Sequence, residues 1–513
     1  MKGVRASKFD WVWTALICSS ALYFLSGGEA DNDLFIHLLS GGLILNSGSI
    51  PQSDIFSYTA LSNEWVNHEW LSQLIFAAIW ETGGNGSLLL FKTSLGLGTV
   101  WLLYGISARR IKQKAVLSLL MVLIVAAMAR GFSIRPQIFT YFFLALQLSI
   151  LDSWLRNERL RLAGALVLVL LFPLWANLHA GFVAGLGISL LFACWQVAFK
   201  EGNFLSMSAF ISVCAAGTLI TPLGTELHSY IVTELGAHHP ISEWQSMAIT
   251  RDHLPFLLLA ALSLISLPWF GAWRIRGYEA ALVFIGLYLS AKHQRHAALF
   301  AVIAAPALSQ QIGSLIDWVN KRAIFSFSQI SLRSMQAAAL ALAMLQLGLK
   351  TGFLARNGTA IYFDKQEYPT NAAPLMEQMA AGRVLNVAVP LDWGAYVLWS
   401  SFPWVRVSLD GRFVTLYSDE DVRANFDLFY GEGGELADSL AETTDIVLAM
   451  KGTGCSYCRK QSWPVVAADE VFEIYANPKK NINYGSTADK PLVSSRHVSL
   501  QLSSGYTAIK AYK

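Results

Sequence analysis

Long apolar runs broken by short polar connections dominate the first two-thirds of the chain. The runs fall near 11–27, 83–107, 115–129, 137–155, 162–177, 181–199, 205–222, 254–270, 279–291, 297–313 and 334–352. A helix needs roughly 20 mostly apolar residues to cross a bilayer, so the pattern predicts about eleven membrane helices, several of them short for a full span. After about residue 353 the pattern changes to charges, turns and short β-like runs: "RVLNVAVP", "AYVLWSSF", "WVRVSLDG", "TDIVLAM", "WPVVAAD" and "VFEIYA". Helical stretches such as 417–443 lie between them. Such an alternation predicts a compact α/β domain.

Composition agrees with a membrane protein. Hydrophobic residues make up 54% of the chain and charged residues 14%, against about 25% charged in soluble domains. The mean hydropathy is +0.43. The expected fold class is therefore a mainly α membrane protein of about eleven transmembrane helices with a C-terminal extracytoplasmic α/β domain. Its parts are a polytopic membrane domain over 1–353, the α/β domain over 354–480 and a polar extension over 481–513. "MKGVRASKFD" is a basic start with no clear A-x-A site after the first run, so that run reads as an uncleaved helix.

Charge changes the picture by orienting the helices. Lys2, Arg5 and Lys8 begin the chain, and "ARRIKQK" (108–114), "RNERLR" (156–161), "WRIR" (273–276) and "NKR" (320–322) are basic connections. With the helix order above, all fall on the side of the N-terminus, which the positive-inside rule makes cytoplasmic. Residues 28–82, 223–253 and the tail are then outside. "AKHQRH" (291–296) is basic yet also falls outside. Either a helix is miscounted, or Lys292, Arg295 and His296 face an anionic ligand.

Nine of the ten histidines then lie at or near outer helix ends: His37, His68, His179, His228, His238, His239, His253, His293 and His296. Arg130 and Arg135 bracket "RGFSIRP" at another outer turn. Asp54, Glu64, Glu69, Glu226 and Glu243 add carboxylates on the same side. Taken singly, each such residue suits the headgroup region. Taken as a set, they describe a polar site at the outer membrane surface, where ionisable groups are usually functional. Carboxylates there act as a general base or hold a divalent cation, and guanidiniums clamp a phosphate. That mixture suits transfer of a group from a lipid-linked phosphate donor. No Walker loop or Rossmann fingerprint points to a soluble nucleotide donor, and no nucleic-acid partner is expected. A divalent metal stays open, although the spacings match no strong metal motif and "HH" (238–239) is too weak to be one.

Between the first apolar run and the next stands "GGEADNDLFIHLLSGG" (27–42). Asp31 and Asp33 sit there at the outer mouth of the first helix. Followed by "HEWLSQLIFAAIWETGGNGSLLLFKTSLGLGTVWLLYGISARR" (68–110), this arrangement resembles the N-terminal half of the polytopic membrane glycosyltransferases of the C superfamily (GT-C), such as the protein O-mannosyltransferases, the aminoarabinose transferases and the oligosaccharyltransferase catalytic subunit. The resemblance covers about the first 110 residues, and the rest by architecture. At His68 and Glu69, where mannosyltransferase-like members tend to carry a His-Pro pair, Glu-Trp follows the histidine, which leaves the subfamily open.

The resemblance implies an acidic residue of the first outer loop as catalytic base, here Asp31 or Asp33, and a polyprenyl-phosphate or polyprenyl-pyrophosphate sugar as donor. In a helix the two carboxylates diverge by about 200°, so one is expected to do chemistry while the other orients or binds metal. As a plain alternative, the pair caps the helix "LFIHLLSGGLIL". Lys292, Arg295, His296, Arg130 and Arg135 are the candidates for the donor phosphate. Asp54, His68, Glu69, His179 and Glu243 are the candidates for sugar or acceptor contacts. The implied partners are the lipid bilayer, the polyprenyl-linked sugar and a glycan, lipid or protein acceptor, with a bacterial inner membrane as the site. A transporter or flippase of lipid-linked glycans and a non-catalytic scaffold of a polysaccharide-assembly complex are the alternatives. A transporter places charges near the bilayer midplane, whereas the mid-helix segments here read as apolar.

Cysteine adds one expectation. Cys18, Cys194 and Cys214 lie inside apolar runs and read as inert core residues. "CSYC" (455–458) lacks a second pair for zinc and reads as a local disulfide in an oxidising compartment.

Overall fold

The computed structural model describes residues 10–236, 242–322, 329–358, 361–364, 366–482 and 497–499. His238 and His239, and most of the expected polar extension, lie outside the described residues. Among the described residues, six helices are long and apolar enough to cross a membrane: Trp70–Arg110, Lys114–Gly131, Gln137–Arg156, Glu158–Leu178, Gln294–Lys321 and Leu332–Arg356. The remaining expected runs are also helical, over Trp11–Leu25, Phe182–Ala198, Phe204–Gly217, Leu254–Ile265 and Trp273–Lys292. Most of these are short. A helix rises about 1.5 Å per residue, so 14 residues, as in Phe204–Gly217, fall short of the roughly 30 Å hydrocarbon core. The chain is a mainly helical membrane protein with a small mixed sheet.

Helix Trp70–Arg110 runs 41 residues with a break at Gly84, whose φ of 66° and ψ of −162° are not helical. Glycine takes such a backbone without a Cβ penalty. The break separates an entry segment from the apolar stretch predicted at 83–107.

The chain forms two compact units that are discontinuous in sequence. The first comprises Met1–Gly27, Leu90–Gly224 and His238–Gly358, and the second Gly28–Leu89, Thr225–Ala237 and Thr359–Lys513.

In the first unit, three basic connections meet on one charged cluster. Asp152 pairs with Arg109 at 2.8 Å, Arg110 at 2.6 Å, Arg156 at 2.8 Å and Arg276 at 2.8 Å. Glu279 pairs with Arg110 at 2.6 Å and Arg276 at 3.0 Å. Both carboxylates are buried, although they stand in runs that read as apolar. Arg110 also donates to the Pro306 carbonyl at 2.6 Å. The cluster thus ties four helices together and puts "ARRIKQK", "RNERLR" and "WRIR" at one place. Cys214 is buried, but Cys18 and Cys194 are exposed. A membrane helix turns one face to acyl chains, so lying in an apolar run does not make a residue core.

The second unit is built on a five-stranded sheet in the order Val405–Val407, Leu385–Ala388, Ile446–Met450, Phe472–Ala476, Val465–Ala468. The first three strands are parallel, and the last two pair antiparallel. Leu385, Val387, Ala388 and Ile446 to Ala449 are buried, the continuous apolar pattern of strands covered on both faces. "AYVLWSSF" is not a strand. Its first seven residues lie within helix Leu391–Ser401 and Phe402 is the C-cap, in the crossover that two parallel neighbours require. A short apolar run does not distinguish a buried strand from a buried helix by period alone. Helices Asp419–Tyr430 and Glu435–Thr443 fill the region predicted as helical, and a Ser418/Asp421 capping box starts the first of them.

Residues 56–59 are stitched into this sheet. Tyr58 N–H donates to the Val407 carbonyl at 3.1 Å and Val407 N–H to the Phe56 carbonyl at 3.1 Å, which covers an edge strand. Thr59 Oγ1 donates to the Ser408 carbonyl at 2.7 Å. Residues 28–30 pair with Tyr362. Phe35 packs edge-on to Phe363, Tyr368 and Tyr396, with ring centroids 5.1–5.9 Å apart. Cys455 and Cys458 are joined as a disulfide within the buried cluster of Leu428, Tyr457 and Trp463.

Candidate functional site

Asp31 and Asp33 occupy different environments. Asp31 is the N-cap of helix Asn32–Ser47, and its Oδ1 accepts from the Asp33 N–H at 3.1 Å. An Asp cap satisfies an otherwise orphaned helix donor and favours the dipole. Asp33 lies in the first turn, partly exposed. Its carboxylate rests against the backbone of Gly411, where an added Cβ would fall 2.4 Å from Oδ1. Asp31 thus caps the helix, while the Asp33 carboxylate stands beside Gly411.

The tail supplies a third carboxylate. Asp392, in the first turn of helix Leu391–Ser401, accepts from Asn32 Nδ2 at 3.4 Å. Tyr368 donates its hydroxyl to Asn32 Oδ1. Asp392 is exposed as a whole residue, yet protein packed about its carboxyl raises its pKa, the Asn32 hydrogen bond lowers it, and the Asp33 charge raises it, for a net upward shift. The sign follows. In the window between the ordinary carboxylate value and the raised one, the folded state holds the proton more tightly than the unfolded chain, so stability falls as pH rises through that window. Asp392→Asn is therefore expected to raise the thermal midpoint of the full chain in detergent at pH 7, with the gain vanishing near pH 3. A lower midpoint at pH 7 would show that the carboxylate is a stabilising partner instead.

Asp54 is committed to structure. It is 1% exposed and pairs with Arg412 at 2.5 Å. It also accepts from Phe56 N at 3.1 Å, Ser57 N at 2.9 Å and Ser57 Oγ at 2.6 Å. Arg412 pairs in turn with Asp410 at 2.7 Å and stacks over Phe56 and Trp65 at 5.0 and 4.9 Å. Trp65 is buried here, which leaves its ring no room for a sugar. Glu69 lies between two imidazoles, 3.9 Å from His37 and 3.8 Å from His68, and His68 packs on Tyr230 at 4.8 Å. Burial lowers the His68 pKa to about 4, so its ring is neutral at pH 7.

The remaining candidates belong to the first unit. Arg135 pairs with Glu243 at 2.9 Å, joining a residue expected at the phosphate to one expected at the sugar. Arg295 lies 4.5 Å over the ring of the neighbouring Trp244, and His293 Nδ1 meets the Trp244 carbonyl at 2.5 Å. The His293 and His296 rings lie 6.0 Å apart, and the turn 293–296 meets Trp244, which follows Glu243, the partner of Arg135. Arg130 pairs with Asp252 at 3.6 Å, both well exposed. Lys292 ends helix Trp273–Lys292 and is exposed. His179 contacts Thr140 Oγ1 at 2.9 Å, and its Nδ1 accepts from Gly181 N at 2.9 Å, which puts the proton of the neutral ring on Nε2. Among the described residues, no group of three or more His, Cys, Asp or Glu is placed to hold a metal ion.

Solved structures share this architecture. The apo oligosaccharyltransferase of Archaeoglobus fulgidus superposes with a TM-score of 0.59 at 10% identity, over 86% of this chain and 69% of that one. ArnT from Cupriavidus metallidurans, bound to undecaprenyl phosphate, superposes with a TM-score of 0.53 at 11% identity, over 92% of this chain and 99% of that one. The chain shares the fold of these two solved proteins. The archaeal oligosaccharyltransferase AglB, in complex with an inhibitory peptide and a dolichol-phosphate, gives a TM-score of 0.60 at 11% identity, over 86% of this chain and 70% of that one. No family model matches the sequence. No curated protein matches it either.

The resemblance read from about the first 110 residues is thus joined by a likeness of fold over most of the chain. Sequence reading did not single out Asn32, Tyr368 or Gly411, because nothing local marks them. Asp392 is one of several acids in the aromatic-rich stretch 391–417.

Proposed function

We propose that the chain is a membrane glycosyltransferase that moves a sugar from a polyprenyl-phosphate or polyprenyl-pyrophosphate donor to an envelope acceptor, a glycan, lipid or protein, at the outer face of a bacterial inner membrane. The observation that carries the reading is Asp33: a partly exposed carboxylate, directly after the first helix, in a fold shared with proteins whose structures hold dolichol phosphate or undecaprenyl phosphate. In the proposed reaction an acceptor oxygen or nitrogen attacks the anomeric carbon. The bond from that carbon to the phosphate oxygen breaks, and the lipid phosphate leaves with the electron pair. Asp33 takes the acceptor's proton. The negative charge on the leaving phosphate calls for cations, and Arg135 and Arg295 are the candidates. No step is derived through a metal ion.

Binding of undecaprenyl phosphate tests the donor assignment. Loss of a charge-assisted hydrogen bond costs about 1.5–3 kcal/mol, so Arg295→Ala is expected to weaken undecaprenyl phosphate binding roughly 10- to 100-fold while leaving the neutral alcohol undecaprenol unaffected. Native mass spectrometry of the purified chain reads both. Equal binding of the phosphate by wild type and variant would remove Arg295 from the donor site.

The orientation is part of the proposal, with the N-terminus cytoplasmic, about eleven membrane helices, several of them short of a full span, and the tail outside. Single cysteines are placed at Lys112 and Glu420, both exposed, in a chain whose three free cysteines have been replaced. An impermeant maleimide applied to intact cells is expected to label position 420 and spare position 112. The reverse pattern would invert the topology.

A further inference from the structure

The turn 409–412, "LDGR", is fixed from two sides. Arg412 is locked between Asp410 and Asp54, and Tyr417 donates its hydroxyl to Asp410 at 2.8 Å. On the other side, helix Leu391–Ser401 presses on the turn at Gly394, where a Cβ would lie 2.0 Å from the Leu409 carbonyl oxygen and 2.9 Å from Asp410 Cα. Against this fixed turn rests the Asp33 carboxylate. A Cβ at Gly411 would lie 2.4 Å from its Oδ1 and 3.5 Å from its Cγ. Gly411 is not among the residues of positive φ. Its lack of a side chain therefore serves the space occupied by the carboxylate, not a strained backbone.

We propose that Gly411, held rigid by Arg412, is a positioning residue for Asp33, so that the tail sets the aim of the catalytic carboxylate. This rests on the reading of Asp33 as the base. Asn32, next to Asp33 in the chain, donates to Asp392 on helix Leu391–Ser401 at 3.4 Å. A methyl at position 411 meets the terminal atoms of a short side chain, not backbone. Asp33 therefore yields by rotating while the turn keeps its ion pairs. The effect falls on geometry, not on folding, and misplacement of a reacting group by about 1 Å costs on the order of 10²-fold in rate.

The experiment compares wild type, Asp33→Asn, Gly411→Ala and the double variant. Turnover is read as release of undecaprenyl phosphate from an undecaprenyl-phosphate hexose in the presence of cell-envelope material. Gly411→Ala is expected to lower kcat roughly 10²-fold, with donor KM and thermal midpoint unchanged, and to add nothing in the Asp33→Asn background. Full kcat in Gly411→Ala, or a further loss in the Asp33→Asn background, would overturn the positioning role while leaving the base reading intact. Full turnover in Asp33→Asn would overturn both. If Gly411→Ala does not fold, Asp33→Glu carries the same test from the other side, because a longer carboxylate meets the same stop. It is expected to lose turnover, and wild-type turnover in it would overturn the proposal.

Discussion

Asp33→Asn is expected to fold, insert and bind undecaprenyl phosphate like the wild type, yet lose about 10²–10⁴-fold in turnover, the usual contribution of a general base. Asparagine keeps the size and much of the hydrogen bonding of aspartate but cannot take the acceptor's proton. Asp31→Asn gives the contrast. Asn caps a helix about as well as Asp, and the Asp31 carboxylate already accepts from the Asp33 N–H. Asp31→Asn should therefore keep most of its turnover, and Asp31→Ala should show mainly a loss of stability of about 0.5–2 kcal/mol. If Asp31→Asn loses turnover and Asp33→Asn does not, the roles are exchanged and the cap is the base.

The largest stability effect is expected at Arg412. Its removal leaves Asp54 and Asp410 buried at 1% and 0% exposure without their shared counter-charge. Breaking a buried pair in this way costs about 3–5 kcal/mol. Arg412→Ala should lower the thermal midpoint and open the tail to protease, and Arg412→Lys should fall between, because an ammonium does not reproduce the two-sided fork. Asp54→Ala should behave like Arg412→Ala. That outcome separates structure from substrate binding. A stable Asp54→Ala variant with a raised acceptor KM would return Asp54 to the sugar site and contradict the ion-pair account.

These two sites show what the sequence makes legible. The helices stand out because a bilayer demands long uninterrupted apolar runs, and every expected run is helical. Asp33 stands out because it follows such a run directly and because the surrounding stretch resembles a known family. The Asp54–Arg412 pair is hidden because its members are 358 residues apart, and no local pattern links residue 54 to a distant turn. For the same reason Asp54 reads as a binding residue, although its neighbours Phe56 and Ser57 spend their N–H groups on it. Asp152 and Glu279 are hidden differently. Each is one acid in a run whose average is apolar, and only the convergence of Arg109, Arg110, Arg156 and Arg276 explains their burial. "AYVLWSSF" misleads because a helix buried on all sides and a buried strand carry the same composition.

The central claim is that this chain transfers a sugar from a polyprenyl-linked donor with Asp33 as base. The most direct measurement follows a radiolabelled sugar on undecaprenyl phosphate, given to the purified full chain with cell-envelope material, in wild type and Asp33→Asn. The account predicts that label moves from the lipid to the envelope fraction with wild type, with matching release of undecaprenyl phosphate, and that both fall by about 10²-fold or more in the variant. Equal movement of label in the two proteins, or donor that binds wild type and is never consumed, would contradict it.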